Sequence, residues 1–335
     1  MIRSSFDQRT FSSMRRLAPA VLAAILAAAA VSETAAGPHS VKKHGIRVLD
    51  PQVRQSVEGN VNEPARLSAS PVLLKRLQLY PGFRIAPFAT RLEAPRMLAV
   101  NTNGDVYVTR RAPHNDVLLL RDADGDGRAE TIRSVAGIEQ VHGIALRDGK
   151  AYLANIRHLY VADILPDGGL GTPEALYEDL PDAGQHPTRT LRFSPDGWLL
   201  LSVGSTNNAA GDPNPENATL LDVALDGSGR TIFARGLRNT VGFDWHPLTG
   251  ELWGMDHGID WLGDHAQREE LNLLVEGGDY GWPYIYDDQQ FNLQQDPEKE
   301  TGLTFEEYAE RTAPPVIGLT PHCAPMAMVF YTAGQ

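Results

Sequence analysis

The feature that most constrains this chain is a recurring unit of strand, glycine turn and strand. Residues 97–109 read MLAVNTNGDVYVT, an apolar run, a turn, then alternation. The plan returns as IALRDGKAYLANI from Ile144, as LRFSPDGWLLLSV from Leu191 and as GFDWHPLTGELWGM from Gly242. Turn glycines Gly104, Gly149, Gly197 and Gly250 are spaced by 45, 48 and 53 residues. Apolar alternation on both sides of a Gly turn signals a hairpin. A period of about 40–50 residues with several short strands signals propeller blades, so the fold class is all-β. HLYVADI at 158–164 and ATLLDVAL at 218–225 are expected to supply outer strands. A fifth unit opens with APMAMVFY at Ala324, shortly before Gln335. An open ring leaves unpaired strand edges, so the sequence is expected to be a fragment lacking about one to two blades.

Two regions stand outside the repeat. Residues 37–80 are polar and irregular and read as an N-terminal arm on the first blade. Residues 286–312 are rich in Asp, Gln and Glu, include the short helix signal FEEYAERT, and read as an insertion on one face. Ahead of the arm, Arg15 and Arg16 precede a charge-free apolar run from Leu17 to Val31, with Thr34-Ala35-Ala36 as a cleavage site. That order is the plan of a secretory signal. The run is too short to span about 30 Å of hydrocarbon comfortably, so no membrane span is expected after cleavage. The expected organisation is a signal peptide at 1–36, an arm at 37–80 and a propeller at 81–335, in a periplasmic or secreted protein. Cys323 is the single cysteine, so no intramolecular disulfide can form. A net charge of −12, without a sustained Lys/Arg cluster, argues against nucleic acid as a partner.

Three segments carry more than repeat structure. In Gln185-His186-Pro187-Thr188-Arg189, His186 sits just before an inner strand, where an imidazole can take a proton from a substrate hydroxyl. A loop-capping His is the alternative. Gly236-Leu237-Arg238-Asn239 precedes the next inner strand and offers a charged fork beside a neutral amide. It reads equally as a turn tying blades together. The third segment runs from Asp256-His257-Gly258-Ile259-Asp260 to Asp264, then through Glu269-Glu270-Leu271-Asn272 to Tyr280-Gly281-Trp282-Pro283. Oxygen-rich loops with glycine turns suit calcium, and suit solvent-exposed turns as well.

Taken in order and spacing, these motifs resemble the glucose/sorbosone dehydrogenase family that depends on pyrroloquinoline quinone (PQQ). The resemblance runs from about Pro81 to the C-terminus. Thr188-Arg189-Thr190-Leu191, Ser202-Val203-Gly204-Ser205 and His322-Cys323-Ala324-Pro325 resemble its sorbosone branch. The resemblance implies a six-bladed β-propeller, incomplete in this sequence, with PQQ and calcium as cofactors and a sugar or sugar-derived aldehyde as substrate. It implies His186 as the general base, with hydride passing to the quinone. Arg238, Asn239 and His322 would contact PQQ. The backbone carbonyls of Gly258 and Ile259 would ligate calcium. Ser205 stands where soluble glucose dehydrogenases carry an Asp that orients the base. Electrons would leave to an acceptor such as a cytochrome or a quinone.

Asp122-Ala123-Asp124-Gly125-Asp126-Gly127 begins like a calcium loop, but Arg133 stands at the twelfth position, where an EF-hand places Glu. Asp122, Asp124 and Asp126 are therefore a weak structural calcium site or simply a turn. His142 also opens an inner strand and reads as facing the channel or as a packed, turn-capping His. Two other functional classes fit a propeller: a calcium-dependent sugar lactonase, which needs carboxylates converging on a metal, and a non-catalytic binding propeller.

Overall fold

All four turn glycines adopt positive φ, from 72° at Gly250 to 99° at Gly197, a region closed to most other residues. Each turn joins the first two strands of a sheet, as the repeat predicts. The structure is a computed structural model describing residues 42–45, 58–61, 71–182, 184–260 and 265–332. The expected signal peptide lies outside the described residues. So does most of the expected arm.

The chain divides into two compact units. In the first, β1 (Lys42–Gly45) pairs antiparallel with β2 (Glu58–Val61), and α1 spans Pro71–Leu74. The second holds four blades in sequence order. Blade I is β3 (Pro95–Val100), β4 (Val106–Arg110), β5 (Asp116–Arg121) and β6 (Thr131–Gly137). Blade II is β7 (Gly143–Arg147), β8 (Lys150–Ala154), β9 (Leu159–Asp163) and β10 (Glu174–Tyr177). In blade III, β11 (Leu191–Phe193), β12 (Leu199–Val203), β13 (Thr219–Val223) and β14 (Arg230–Arg235) are joined by a parallel strand, β18 (Gly278–Asp279). Blade IV is β15 (Gly242–Trp245), β16 (Leu252–Asp256), β17 (Glu270–Leu274) and β21 (Ile317–Gly318). The two segments expected as outer strands are β9 and β13, third in their blades. Outside them lie β10 and β14.

The core explains why β12 opens with three consecutive leucines. Leu199 and Leu201 pack with Tyr152 and Leu159 of blade II, whereas Leu200 packs with Phe243 and Leu252 of blade IV. Successive residues of a strand point to opposite faces, so a blade buried on both sides takes apolar residues at consecutive positions. Each such leucine contributes about 1.5–3 kcal/mol by burial. Polar ties reinforce the stacking: Arg192 Nε donates to Asp244 Oδ1 (2.7 Å) across blades III and IV, and Arg147 lies over the Phe193 ring across blades II and III.

Between β18 and β21 the insertion forms β19 (Ile285–Tyr286), β20 (Gln290–Phe291), α2 (Pro297–Thr301) and α3 (Phe305–Ala309). The FEEYAERT signal becomes α3, started by a capping box between Thr304 and Glu307. Residues 324–331, expected to open a fifth blade, are not hydrogen-bonded as a strand. They run beside β15, where a Cβ on Gly242 would lie 2.7 Å from the Ala327 Cα.

Candidate functional site

Blade architecture delivers the segments before β11 and β15, and the segment after β16, to one rim. His186 is half-buried there. Its Nδ1 lies 2.7 Å from the Ser205 carbonyl. A carbonyl only accepts, so Nδ1 carries the proton and Nε2 keeps its lone pair. Burial lowers the His186 pKa to about 3, helped by the charge of Arg238 and opposed by the Ser205 bond. Gly204 makes the close approach possible. A Cβ there would sit 2.5 Å from the His186 Cβ and 3.0 Å from Asn239 Oδ1.

Ser205 stands where the resemblance places an Asp that orients the base. Its carbonyl, rather than its side chain, meets the His186 ring. The hydroxyl donates to Asp212 (3.1 Å), which also accepts from the Thr206 amide (2.5 Å), the Thr206 hydroxyl (2.8 Å) and Trp282 Nε1 (3.4 Å). Sequence reading missed Asp212, seven residues away in a loop without a motif. It also assigned no role to Arg189, which is fully buried. Arg189 donates to the carbonyls of Pro181 (2.5 Å), Thr188 (3.0 Å) and His186 (3.4 Å), clamping the loop that carries the base. Burial lowers its pKa to about 10.

Arg238 and Asn239 stand beside His186, but their side chains are used differently. Arg238, expected to reach a cofactor, is 3% exposed. Its Nε donates to the Asn208 carbonyl (2.9 Å) and Nη1 to the His257 carbonyl (3.1 Å), while Nη2 meets the Asn208 side chain and faces Asp260. The guanidinium lies over the Trp282 ring. It therefore acts here as a buried brace whose charge is felt at His186. Asn239 Nδ2 donates to His257 Nδ1 (3.1 Å), and His257 donates from Nε2 to the Pro325 carbonyl (2.9 Å). That chain turns Asn239 Oδ1 towards His186.

Asp256 ties the segment together by accepting from the amides of Arg238 (2.9 Å) and Asn239 (2.8 Å) and from the Thr240 hydroxyl (2.8 Å). It pairs across the ladder with Glu270, which Glu269 precedes. Burial raises the pKa values of Asp256 and Glu269, and burial with the charge of Asp256 pushes Glu270 up to about 8. A cavity of about 20 Å³, room for one water, touches Arg238, Asp256, His257, Gln267 and Glu270.

The expected calcium ligands lie on this rim. The Gly258 amide donates to Glu269 (3.1 Å) and the Ile259 amide to Gln267 (2.5 Å). Among the described residues neither carbonyl accepts a hydrogen bond. Residues 261–264, part of the same acidic segment, lie outside the described residues. His322 is exposed, with φ of 64°, in the segment that leads to Pro325.

Far from this rim, Asp122, Asp124 and Asp126 converge as the motif suggests, and Glu130 joins them. Sequence reading missed Glu130 because the EF-hand comparison looked to position twelve. Asp122 accepts from the amides of Gly125 (2.7 Å) and Gly127 (2.9 Å), so the loop is also a self-bonded turn. His142 is packed. It is 1% exposed, and Nδ1 donates to the Arg189 carbonyl (2.9 Å).

The sequence model of the glucose/sorbosone dehydrogenase family matches residues 166–335, half of the chain. A Hypocrea jecorina protein named pyrroloquinoline quinone-dependent sugar dehydrogenase is 25% identical over 242 residues, 61% of this chain and 56% of that protein. An uncharacterised Borreliella burgdorferi protein is 24% identical over 277 residues, covering 78% of this chain and 69% of the other. Against the Hypocrea protein the chain spans little more than half the length. Among solved structures, the holo form of the pyranose dehydrogenase PQQ domain from Coprinopsis cinerea superposes with a TM-score of 0.64 at 20% identity, covering 77% of this chain and 73% of that one. The calcium structure of the Trichoderma reesei family AA12 enzyme gives 0.62 at 20% identity, covering 72% and 71%. At such identities the likeness is one of fold, and it is a propeller in each case. The family match and the four blades agree: the chain belongs to the glucose/sorbosone dehydrogenase family.

Proposed function

We propose that this protein is a PQQ-dependent oxidoreductase acting on a sugar or sugar-derived aldehyde, with His186 as general base. The observation that carries the reading is the His186 ring itself. Its Nδ1 proton is committed to the Ser205 carbonyl, and Nε2 is left as the proton acceptor on the shared rim. The low pKa keeps the ring neutral at ordinary pH. A negative charge arriving beside Arg238 would raise it and make proton uptake easier. The donor set fits the implied cofactors: Asn239 Oδ1 lies near the base, and the carbonyls of Gly258 and Ile259, which accept no hydrogen bond among the described residues, are hard oxygen donors of the kind calcium takes. When bound, PQQ would supply a two-electron acceptor and calcium a Lewis acid. This chain's residues would fix the base, hold the rim and move one proton at Nε2.

The reading extends to the sorbosone branch, on the motifs around Arg189, Ser205 and His322, and to His322 as a further cofactor contact. Export through the signal at 1–36, a propeller over 81–335 and electron delivery to a cytochrome or quinone are parts of the same proposal. Among the described residues no helix is long and apolar enough to cross a membrane. A lactonase would need carboxylates free to converge on a metal. Asp256, Glu269 and Glu270 do converge, but each already accepts a hydrogen bond from a backbone amide.

The test is titration of the full chain with PQQ and calcium, followed by a dye-linked assay over aldoses and sorbosone. Saturable binding and PQQ-dependent turnover are expected, with kcat falling by about 10²–10⁴ in His186→Ala. Absence of PQQ-dependent turnover in the wild type overturns the redox reading. Full turnover in His186→Ala overturns the assignment of the base.

A further inference from the structure

The hydrogen bond that fixes His186 does not end at the Ser205 carbonyl. That carbonyl and the Thr206 amide belong to one peptide group, and both ends of the group are engaged. His186 Nδ1 donates to the carbonyl (2.7 Å), and the Thr206 N–H donates to Asp212 Oδ1 (2.5 Å). In a trans peptide the C=O and N–H point in opposite directions and share delocalised electrons. Drawing the N–H proton towards a carboxylate moves electron density onto the carbonyl oxygen, which then accepts more strongly. An imidazole and a carboxylate are thereby joined through a peptide rather than by direct contact.

The surrounding donors hold the carboxylate in that place. The Asn207 amide donates to Ser205 Oγ (3.1 Å), so the hydroxyl proton of Ser205 is left for Asp212 Oδ1 (3.1 Å). The Thr206 hydroxyl donates to the same oxygen (2.8 Å), and the Trp282 indole reaches Oδ2 (3.4 Å). Donors converging on a carboxylate favour its charged form, against the burial that raises the Asp212 pKa. The charge of Asp212 is felt at Arg238, whose own charge, after burial, holds the His186 pKa down.

His142 supplies the internal contrast. Its Nδ1 donates to the Arg189 carbonyl (2.9 Å), and the N–H of that same peptide, on Thr190, donates to the Ser202 hydroxyl (3.0 Å). The peptide behind His142 therefore ends on a neutral oxygen, and the peptide behind His186 on a carboxylate. Hydrogen bonds to a charged acceptor are roughly twice as strong as neutral ones.

We propose that Asp212 is a positioning residue for His186, acting through the Ser205–Thr206 peptide. Its part in the reaction rests on His186 being the base. When Nε2 takes up a proton, the ring becomes a cation and its Nδ1–H bears harder on the Ser205 carbonyl. The peptide passes that demand to the carboxylate, and no proton crosses it.

NMR of the isotope-labelled full chain without cofactor reads the route directly, whether or not the enzyme turns over. In the wild type the Thr206 amide proton should lie far downfield, as a charge-assisted bond requires. Asp212→Asn should move the His186 Nδ1 proton upfield and leave that of His142 in place, which also guards against a misfolded variant. Thr206→Val keeps the peptide N–H and loses only the hydroxyl, so it should shift the His186 proton far less. In a dye-linked assay with PQQ, Asp212→Asn should lower kcat about ten- to a hundredfold and keep KM within about threefold. A Thr206 amide at an ordinary position in the wild type overturns the route. So does a His186 proton that stays in place in Asp212→Asn, or one that shifts as far in Thr206→Val. Unchanged kcat in Asp212→Asn overturns the positioning role. The expected shifts without any PQQ-dependent turnover in the wild type would keep the link between Asp212 and the ring and overturn the redox reading instead.

Discussion

His142 and His186 both precede the inner strand of successive blades, His142 directly before β7 and His186 five residues before β11, and each gives its Nδ1 proton to a backbone carbonyl. Their pKa values are both depressed by burial, to about 4 and about 3. Yet one is a staple and the other a candidate base. His142 is 1% exposed, its bond crosses from blade II to blade III, and its Nε2 is sealed from solvent without a partner. His186 bonds within its own blade and stands half-buried beside Asn239 and Arg238. Perturbed titration therefore does not separate the two roles. Access to Nε2 does.

The largest expected effect breaks this comparison directly. His186→Ala should lower kcat by about 10²–10⁴ with little change in thermal midpoint, whereas His142→Gln should keep kcat within about threefold. The cost of His142→Gln falls on stability instead, about 1–3 kcal/mol from a buried carbonyl left unpaired, read by urea unfolding. Equal loss of turnover in both variants would mean that the rim acts as one unit and that the staple is part of the chemistry. Next in size is Gly204→Ala. Its Cβ would press on the His186 Cβ and on Asn239, so the variant should lose about ten- to a hundredfold in kcat and about 1–3 kcal/mol in stability. Wild-type activity in Gly204→Ala would show that the base is not held where the structure places it.

How far the sequence reveals this depends on the range over which each feature is encoded. The blades are legible because a turn glycine and two alternating strands lie within about a dozen residues, and four copies repeat the signal. Helix α3 is legible for the same reason, since its capping box is local. His186, Arg238 and Asn239 are legible as motifs, but their engagement is not. Nothing in Gly236-Leu237-Arg238-Asn239 says that the guanidinium is consumed by Asn208, thirty residues earlier. Arg189 acts through backbone carbonyls, and Asp212 through two hydroxyls, an amide and an indole of other segments, so no local motif marks either. Glu130 closes the Asp122 loop through space at a position the EF-hand template treats as secondary. The outermost strands β10 and β14 were missed because they carry less of the apolar pattern than the strands they flank.

The smallest expected effect is the dependence of stability on pH, and it sets the two histidines against Glu270 of blade IV. His142 and His186 have folded pKa values below the ordinary histidine value of 6.5, so the unfolded chain binds protons more readily. Their contribution is complete above about pH 6.5 and is lost as pH falls towards 4 and then 3. Glu270 is shifted the other way, from 4.5 up to about 8. The folded chain holds that proton more tightly, so its contribution is complete below about pH 4.5 and is lost as pH rises through about 8. Stability should therefore decline on both sides of a maximum near pH 5–7. His142→Gln should flatten the acid limb by up to about 1.4 kcal/mol per pH unit, the limit for one proton. Glu270→Gln should flatten the alkaline limb, steepen the acid limb between about pH 4.5 and 6.5, and leave the slope below about pH 4.5 as it is. Urea midpoints from pH 4 to pH 9 read both slopes. An acid limb unchanged in His142→Gln would assign acid lability to His186 or to groups other than these two histidines, and the likeness between them would then be one of geometry alone.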